Sequence, residues 1–414
     1  MQFRILRGSH QIGGSCVQVQ AMGQSILIDL GLPLDVMEPD PKHLPDVEGL
    51  VDGANPDLIG IVLSHAHGDH SGLLPLVRPE LPVFMGEGTH RMLQAAAQFV
   101  KHSFLPDLIA HFCDRETFQV GPFNVTPFLT DHSAFDAYSL LIEADGKRLF
   151  YSGDFRTHGR KGSLVDRLCR KPPADIDVLL LEGTILSRRV AATPQSSERD
   201  LEEDILATMK ATNGLVLTWF SPQNIDRFVT FFRAAKRAGR KFVADAYLAN
   251  ILDAIALNSL PSPLSNDMRI FLPQAQKHRI VRDKRFDLVE PYRSNRIFLP
   301  ELMAQQDRFV MLFRPSMIGD LQAHGDLSEA TLIYSLWPGY LTQESFDIRA
   351  WCAQANLVFE IHHTSGHADL ETLKMLAQAL DPRTIVPIHT DVPERYSEHF
   401  SNVKRRKDGE WCRI

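Results

Sequence analysis

The amino-acid sequence predicts an α/β protein in which histidines and carboxylates collect on loops at strand ends, interrupted by an inserted second α/β segment. Three observations predict this. The apolar run Leu58-Ile59-Gly60-Ile61-Val62-Leu63 reads as a buried strand. It leads into Ser64-His65-Ala66-His67-Gly68-Asp69-His70-Ser71-Gly72, where three imidazoles and a carboxylate fall within six residues. The order strand, turn, ligand-type residue then recurs as far as Asp154 and again towards the C-terminal end. Between these stretches, strong helix signals alternate with apolar strands, the pattern of a parallel α/β unit.

The elements follow in order. Cys16-Val17-Gln18-Val19-Gln20 alternates with period two, Gly23 turns, and Ser25-Ile26-Leu27-Ile28 forms a strand ending at Asp29. A carboxylate there either caps a turn or holds a ligand histidine in place. Residues 33–57, rich in Pro and Asp, read as a surface loop. Gly68 lets the central loop turn sharply, and a helix is expected to begin at Ser71. Residues 88–100 have helical spacing, and residues 118–128 alternate as strands before Thr130-Asp131-His132-Ser133. Residues 138–143 and 148–152 pair about Asp145-Gly146 as a hairpin whose second strand runs into Gly153-Asp154. Val178-Leu179-Leu180-Leu181 is a fully apolar strand ending in Glu182.

After Glu182 the pattern changes. Ser196-Ser197 followed by Glu198, Asp200, Glu202 and Glu203 marks a helix start, with acids at the positive helix end. Residues 214–220, 241–245, 309–313 and 330–335 read as strands, and residues 224–238 and 247–257 as helices. From Leu357 the first pattern returns. Residues 358–361 form a strand leading to Thr364-Ser365-Gly366-His367-Ala368-Asp369, residues 370–380 an amphipathic helix, and residues 384–389 a last buried strand ending in His389.

A chain of 414 residues, 44% hydrophobic and 23% charged, buries a large core in two domains or one two-part fold. The start Met1-Gln2-Phe3-Arg4-Ile5 lacks the apolar core of a signal peptide, and no apolar run reaches the length of a membrane span. Cys16, Cys113, Cys169, Cys352 and Cys412 are scattered, which suits reduced thiols, so a cytoplasmic location is expected. The net charge of -7 argues mildly against nucleic acid, but it is uneven. Residues 277–296 hold Lys277, Arg279, Arg282, Lys284, Arg285, Arg293 and Arg296, and residues 404–407 form a second basic run.

Neutral imidazole and carboxylate are the preferred ligands of zinc and similar divalent ions. His65 and His67 can point one way and Asp69 and His70 another, so two neighbouring metals could share an activated water. His132, Asp154 and His389 stand at strand ends from which loops of one sheet edge can converge.

Taken in order, these residues resemble the motif set of the β-CASP branch of the metallo-β-lactamase superfamily. Asp29 matches motif one, His65-x-His67-x-Asp69-His70 motif two, His132 motif three and Asp154 motif four. Glu182 matches motif A, His367 in Ser365-Gly366-His367 motif B, and His389 in Pro387-Ile388-His389 motif C. Within the branch the chain looks most like ribonuclease J and its RNA-cleaving relatives. The resemblance implies a metallo-β-lactamase αββα sandwich over residues 1–188 and 358–414, with a β-CASP domain inserted over residues 189–357. It departs from ribonuclease J in having Glu182 where Asp is usual and Thr390-Asp391 where Gly-Glu is usual. The chain is also expected to lack the C-terminal domain of that family.

The resemblance implies two divalent cations, zinc with manganese as the alternative. His65, His67 and His132 would hold one; Asp69, His70 and His389 would hold the other, with Asp154 bridging. Asp69 would also take a proton from the attacking water. His367 would assist the leaving oxygen with its tautomer fixed by Glu182, and Asp29 completes the catalytic set. Ser365, Gly366 and Ser221 would bind neighbouring phosphates. Histidine at motif C goes with RNA in this family, so the expected activity is endonucleolytic or 5′-3′ exonucleolytic hydrolysis of single-stranded RNA. A DNA nuclease of the same fold is the alternative, and a small-molecule metallo-hydrolase a more distant one. No membrane partner is expected; a homo-oligomer or a partner protein is left open.

Overall fold

The computed structural model of the chain describes residues 1–36, 38–100, 105–187, 195–342 and 346–414. The chain divides into two units, Met1–Gln195 with Gly366–Ile414, and Ser196–Ser365.

The first unit holds two sheets. In one, β1 (Gln2–Arg7), β2 (Cys16–Ala21) and β3 (Gln24–Ile28) are antiparallel, and β4 (Leu58–Val62), β5 (Val83–Gly86) and β6 (Ile109–Phe112) continue parallel to β3. Cys412–Arg413 pairs on the outer side of β1. In the other, β7 (Phe118–Val120), β8 (Phe123–Leu129), β9 (Tyr138–Ala144) and β10 (Lys147–Tyr151) are antiparallel. There, β11 (Val178–Leu181) and Thr384–Pro387 follow parallel to β10. The β9–β10 hairpin turns through Asp145 and Gly146, both at positive φ (52° and 66°), as a two-residue turn requires.

Period-two alternation decides what each sheet face covers. Ile26 and Ile28 join Val17, Leu140, Leu149, Tyr151, Leu180 and Val386 in the core between the sheets. Leu27 faces the other way and packs with Ile61, Leu73 and Met85. Phe150, Leu179 and Leu181 turn out towards Leu168 of the helix Ser163–Arg170 and Leu373 and Leu376 of the helix Leu370–Leu380. The layers are helix, sheet, sheet, helix, and each fully buried Leu or Ile contributes about 1.5–3 kcal/mol. Strands β3 and β4 share a direction, as do β8, β10, β11 and Thr384–Pro387, so the carboxyl ends of each set lie at one edge of their sheet.

The second unit is one parallel sheet. Its strands are β12 (Val216–Trp219), β13 (Lys241–Asp245), β14 (Met268–Phe271), β15 (Phe309–Leu312), β16 (Thr331–Tyr334) and β17 (Val358–Ile361), ordered β14-β13-β15-β12-β16-β17. The helix Glu198–Ala211 starts in a capping box between Ser197 and Asp200. Arg227, fully buried in the helix Ile225–Arg237, pairs with Glu198 at 3.1 Å and donates to the carbonyls of Ser335 at 2.8 Å and Thr364 at 3.2 Å.

Two expectations change. Residues 358–361, assigned to the return segment, are the edge strand β17, because they pair parallel with β16; the division falls at Gly366. The expected boundary at 188–189 lies outside the described residues. The helix expected from Ser71 is instead the single turn Gly68–Ser71. Pro75, within the 3-10 turn Leu74–Leu76, lacks the N–H that an α-helix would need there. Among the described residues, no helix is long and apolar enough to cross a membrane.

Candidate metal centre

Each strand of the two sets hands over a polar residue where its carboxyl end leaves the sheet. Asp29 follows β3, Ser64-His65 follow β4, His132 follows β8, Asp154 follows β10, Glu182 follows β11 and His389 follows Thr384–Pro387. The loop of the central motif is gripped by the segment after β3. Leu30 donates its N–H to the His70 carbonyl at 2.7 Å, and Leu32 donates to that of Gly68 at 2.9 Å. Gly31 passes so close that a Cβ there would overlap the Asp69 carbonyl.

The ligand-type atoms gather in overlapping groups. His65, His67 and His132 form one, and Asp69, His70, Asp154 and His389 another; Asp154 and His389 meet again with Glu182 and His367. Within each group the donor atoms lie within 4.8 Å of one another. Asp154 is central. Its Oδ2 lies 3.7 Å from His65 Nε2, 3.1 Å from His70 Nε2 and 3.8 Å from His132 Nε2, and its Oδ1 lies 3.8 Å from His389 Nδ1. His67 Nδ1 stands 3.1 Å from His132 Nε2, and His389 Nε2 stands 3.2 Å from Asp69 Oδ2.

These donors fit divalent cations. His65 Nε2, His70 Nε2 and both carboxylate oxygens of Asp154 are buried with no aligned hydrogen-bond partner, an arrangement that costs roughly 1–3 kcal/mol per group if nothing satisfies it. His65, His67, His132, Asp69, His70, His389 and Asp154 are brought together as the sequence reading expects.

A layer of hydrogen bonds orients the rings, and much of it is invisible in the sequence. Asp29 accepts from Ser64 N–H, Ser64 Oγ and His70 Nδ1 at 2.7 Å each, and from Tyr151 OH at 2.8 Å. With both oxygens engaged, Asp29 acts through His70 and the Ser64 loop as a positioning residue. His132 Nδ1 donates to the Gly366 carbonyl at 2.6 Å, which turns Nε2 inward. Thr184 belongs to this layer as well. Its hydroxyl donates to Glu182 Oε2 at 2.9 Å and lies 2.8 Å from His389 Nδ1. Glu182 also holds His367 Nδ1 at 3.1 Å and accepts from Phe155 N–H at 3.0 Å. The one signal for Thr184 was its place two residues beyond the β11 carboxylate. Asp29 and His389 both sit at positive φ, 58° and 52°, an uncommon conformation for residues with a side chain.

Electrostatics divides the histidines. Burial, reinforced by neighbouring imidazoles, holds His65 and His132 well below the usual imidazole value and brings His67 down to about 4. For His70 burial acts the same way, but the carboxylates of Asp154 and Asp29 outweigh it and raise the ring well above its usual value. Burial would likewise lower His367, and Glu182 with Asp154 reverses the sign. Burial alone would raise Asp69; the bond from His389 and the charge of His70 bring it below the usual carboxylate range.

The expected phosphate-binding residues divide between the units. Gly366 adjoins the metal ligands through its carbonyl; Ser365 and Ser221 belong to the second unit. Ser365 is buried. The helix expected from residue 224 is capped by Asn224, which accepts from Arg227 N–H at 3.0 Å, while Ser221 Oγ accepts from Gln223 N–H at 3.4 Å.

Known proteins give an independent measure of likeness. Residues 25–214 match the β-lactamase superfamily domain, and residues 354–408 match the Zn-dependent metallo-hydrolase RNA specificity domain. Ribonuclease J of Mycolicibacterium smegmatis is 24% identical over 408 residues, covering 93% of this chain and 68% of that protein. Ribonuclease J of Mycobacterium tuberculosis is 24% identical over 273 residues, 62% of this chain and 46% of that protein. Ribonuclease J 2 of Streptococcus pyogenes is 24% identical over 407 residues, 92% of this chain and 68% of that protein. The chain thus spans about half to two thirds of the length of these relatives. A crystal structure of a protein of unknown function from Enterococcus faecalis V583 has the same fold, with a TM-score of 0.78, 20% identity and 99% coverage of both chains.

Proposed function

From a chain that is a ribonuclease J-like member of the β-CASP branch of the metallo-β-lactamase fold, we propose a metal-dependent ribonuclease that hydrolyses phosphodiester bonds of single-stranded RNA. The observation that carries this reading is the convergence of five histidines and two carboxylates, with buried and unsatisfied donor atoms on His65, His70 and Asp154. RNA is favoured by the match of residues 354–408 to an RNA specificity domain and by His389 itself.

His65, His67 and His132 would hold one cation and Asp69, His70 and His389 the other, with Asp154 between them. Zinc is the proposed ion, since imidazole and carboxylate suit it; manganese accepts the same set. When bound, the cations supply a water nucleophilic at neutral pH and offset charge on the phosphate in the transition state.

The chain's own groups do the rest. Asp69 takes the proton of the attacking water. His367, held through Nδ1 by Glu182, presents Nε2 to the leaving oxygen as its proton source. Gly366 holds His132 through its carbonyl. The proposed setting is the cytoplasm. Internal cutting and trimming from a 5′ end both fit these roles.

The test is cleavage of end-labelled single-stranded RNA and matching DNA carrying 5′-hydroxyl, monophosphate or triphosphate ends, with zinc or manganese. RNA cut and DNA spared, with activity lost in His65→Ala/His67→Ala, supports the reading. DNA cut equally well would make this a DNA-acting relative. The product ladder separates internal cuts from stepwise trimming.

A further inference from the structure

The second unit carries a feature that the metal centre does not use. In open parallel sheets, ligands settle outside the carboxyl ends of strands. At that end of β14, Phe271 and Leu272 line a cavity of about 160 Å³ together with Lys277, Arg296, Phe298 and His324.

The segment carrying Arg296 and Phe298 extends the sheet past its edge. Arg296 bridges to Ile270 of β14, and Ile297 donates its N–H to the Ile270 carbonyl at 3.0 Å. Extended chain alternates its side chains, so burial of Ile297 turns both neighbours outward. Phe298 is 55% exposed, and the Arg296 guanidinium lies 4.5 Å from the centre of its ring.

The charges here differ from those of the arginines in the surrounding basic stretch. Arg279, Arg282, Arg285 and Arg293 each have an acid of Asp283, Asp287 or Glu290 within 4.0 Å. Among the described residues, no carboxylate stands that close to Lys277 or Arg296. The one acid lining the cavity, Asp320, is engaged, accepting from Gln274 N–H at 3.0 Å. His324 Nδ1 donates to the Asp320 carbonyl at 2.8 Å, which leaves its Nε2.

An exposed ring, unpaired cations beside it and a cavity of this size make a consistent set. Apolar cavities of about 150 Å³ admit one six-membered aromatic ring. Single-stranded nucleic acid binds by stacking bases on aromatic faces while cations meet its phosphates.

We propose that this pocket takes one base of single-stranded RNA, stacked on Phe298, with adjoining phosphates on Lys277 and Arg296. It is a second contact for the substrate and rests on the ribonuclease reading. The unpaired cations favour a polyanion over a protein partner docking on the phenyl ring.

The test uses the full chain and labelled oligouridylate, with affinity read by anisotropy across a salt series. Phe298→Ala is expected to weaken binding about 5- to 150-fold with its salt slope unchanged, and Phe298→Trp to retain it. Lys277→Ala/Arg296→Ala is expected to lower the slope of log affinity against log salt by about 1.4. Hydrolysis of bis(p-nitrophenyl) phosphate should stay at the wild-type rate in all three. Wild-type affinity and slope in Phe298→Ala and in the double variant would overturn the proposal while RNA cleavage by the wild type still stands. A change in sedimentation of Phe298→Ala without a change in RNA affinity would assign the pocket to a protein contact instead. Failure of the wild-type chain both to bind and to cleave RNA would overturn the ribonuclease reading, and this proposal with it.

Discussion

Glu182 and His367, 185 residues apart, meet in a hydrogen bond of 3.1 Å between Oε2 and Nδ1. The bond crosses the whole insert: Glu182 leaves the sheet before it and His367 re-enters after it. It fixes which nitrogen of His367 faces outward. His367→Ala should therefore slow RNA cleavage by about 10²–10⁴-fold with metal content unchanged. Glu182→Gln should lower kcat more than it changes KM, since the amide still fills the space but cannot hold the same tautomer. Steady-state kinetics on a short RNA, with metal analysis of each variant, checks both.

Asp29 makes a different prediction. Its two oxygens take four donors from Ser64, His70 and Tyr151, and none is left for substrate. Asp29→Ala is expected to weaken metal binding about 10–100-fold and to lower Tm, because His70 loses its anchor and buried donors lose their acceptor. Tyr151→Phe removes one bond of the set and should cost only about 1 kcal/mol. Metal titration and thermal unfolding separate the two.

The raised pKa of His70 gives a sign for proton exchange. Asp154 and Asp29 hold the ring protonated at neutral pH in the absence of metal, whereas a ligand must be neutral. His65, His67 and His132, held low, are already neutral. Metal loading at pH 7 should thus release a proton, and affinity should rise with pH until His70 is deprotonated in the free protein. Calorimetry in buffers of different ionisation enthalpy measures the release; none at pH 7 would contradict the assignment.

Gly366 is predicted to tolerate no side chain. A Cβ there would press on Ser133 Oγ, lie 3.0 Å from Ser133 Cβ and 3.1 Å from His132 Cε1. Gly366→Ala should displace the carbonyl that holds His132 Nδ1. It should reduce metal content and RNA cleavage together, with circular dichroism close to the wild type.

Much of this site was legible in the sequence because every ligand-type residue sits where an apolar strand stops. Strand ends are easily read from period-two runs, and histidine and aspartate there stand out. The orienting layer was harder. Ser64, Tyr151 and Thr184 carry ordinary hydroxyls with no telling spacing, and their partners come from other strands. Asp29 was legible as a ligand-holding carboxylate from its place at a strand end, and its four bonds match that reading. The strand Val358–Ile361 was legible as a strand but not as part of the second sheet, since an apolar run does not say which neighbour it pairs with.

The most direct test is the replacement of Asp154, whose carboxylate lies 3.1–3.8 Å from ring nitrogens of His65, His70, His132 and His389. RNA cleavage and bound metal would be measured for Asp154→Ala beside the wild type, with circular dichroism to confirm folding. The predicted result is a folded protein that loses bound metal and its RNA cleavage together. A folded Asp154→Ala protein that still cuts RNA at the wild-type rate would contradict a metal-dependent site built on this cluster.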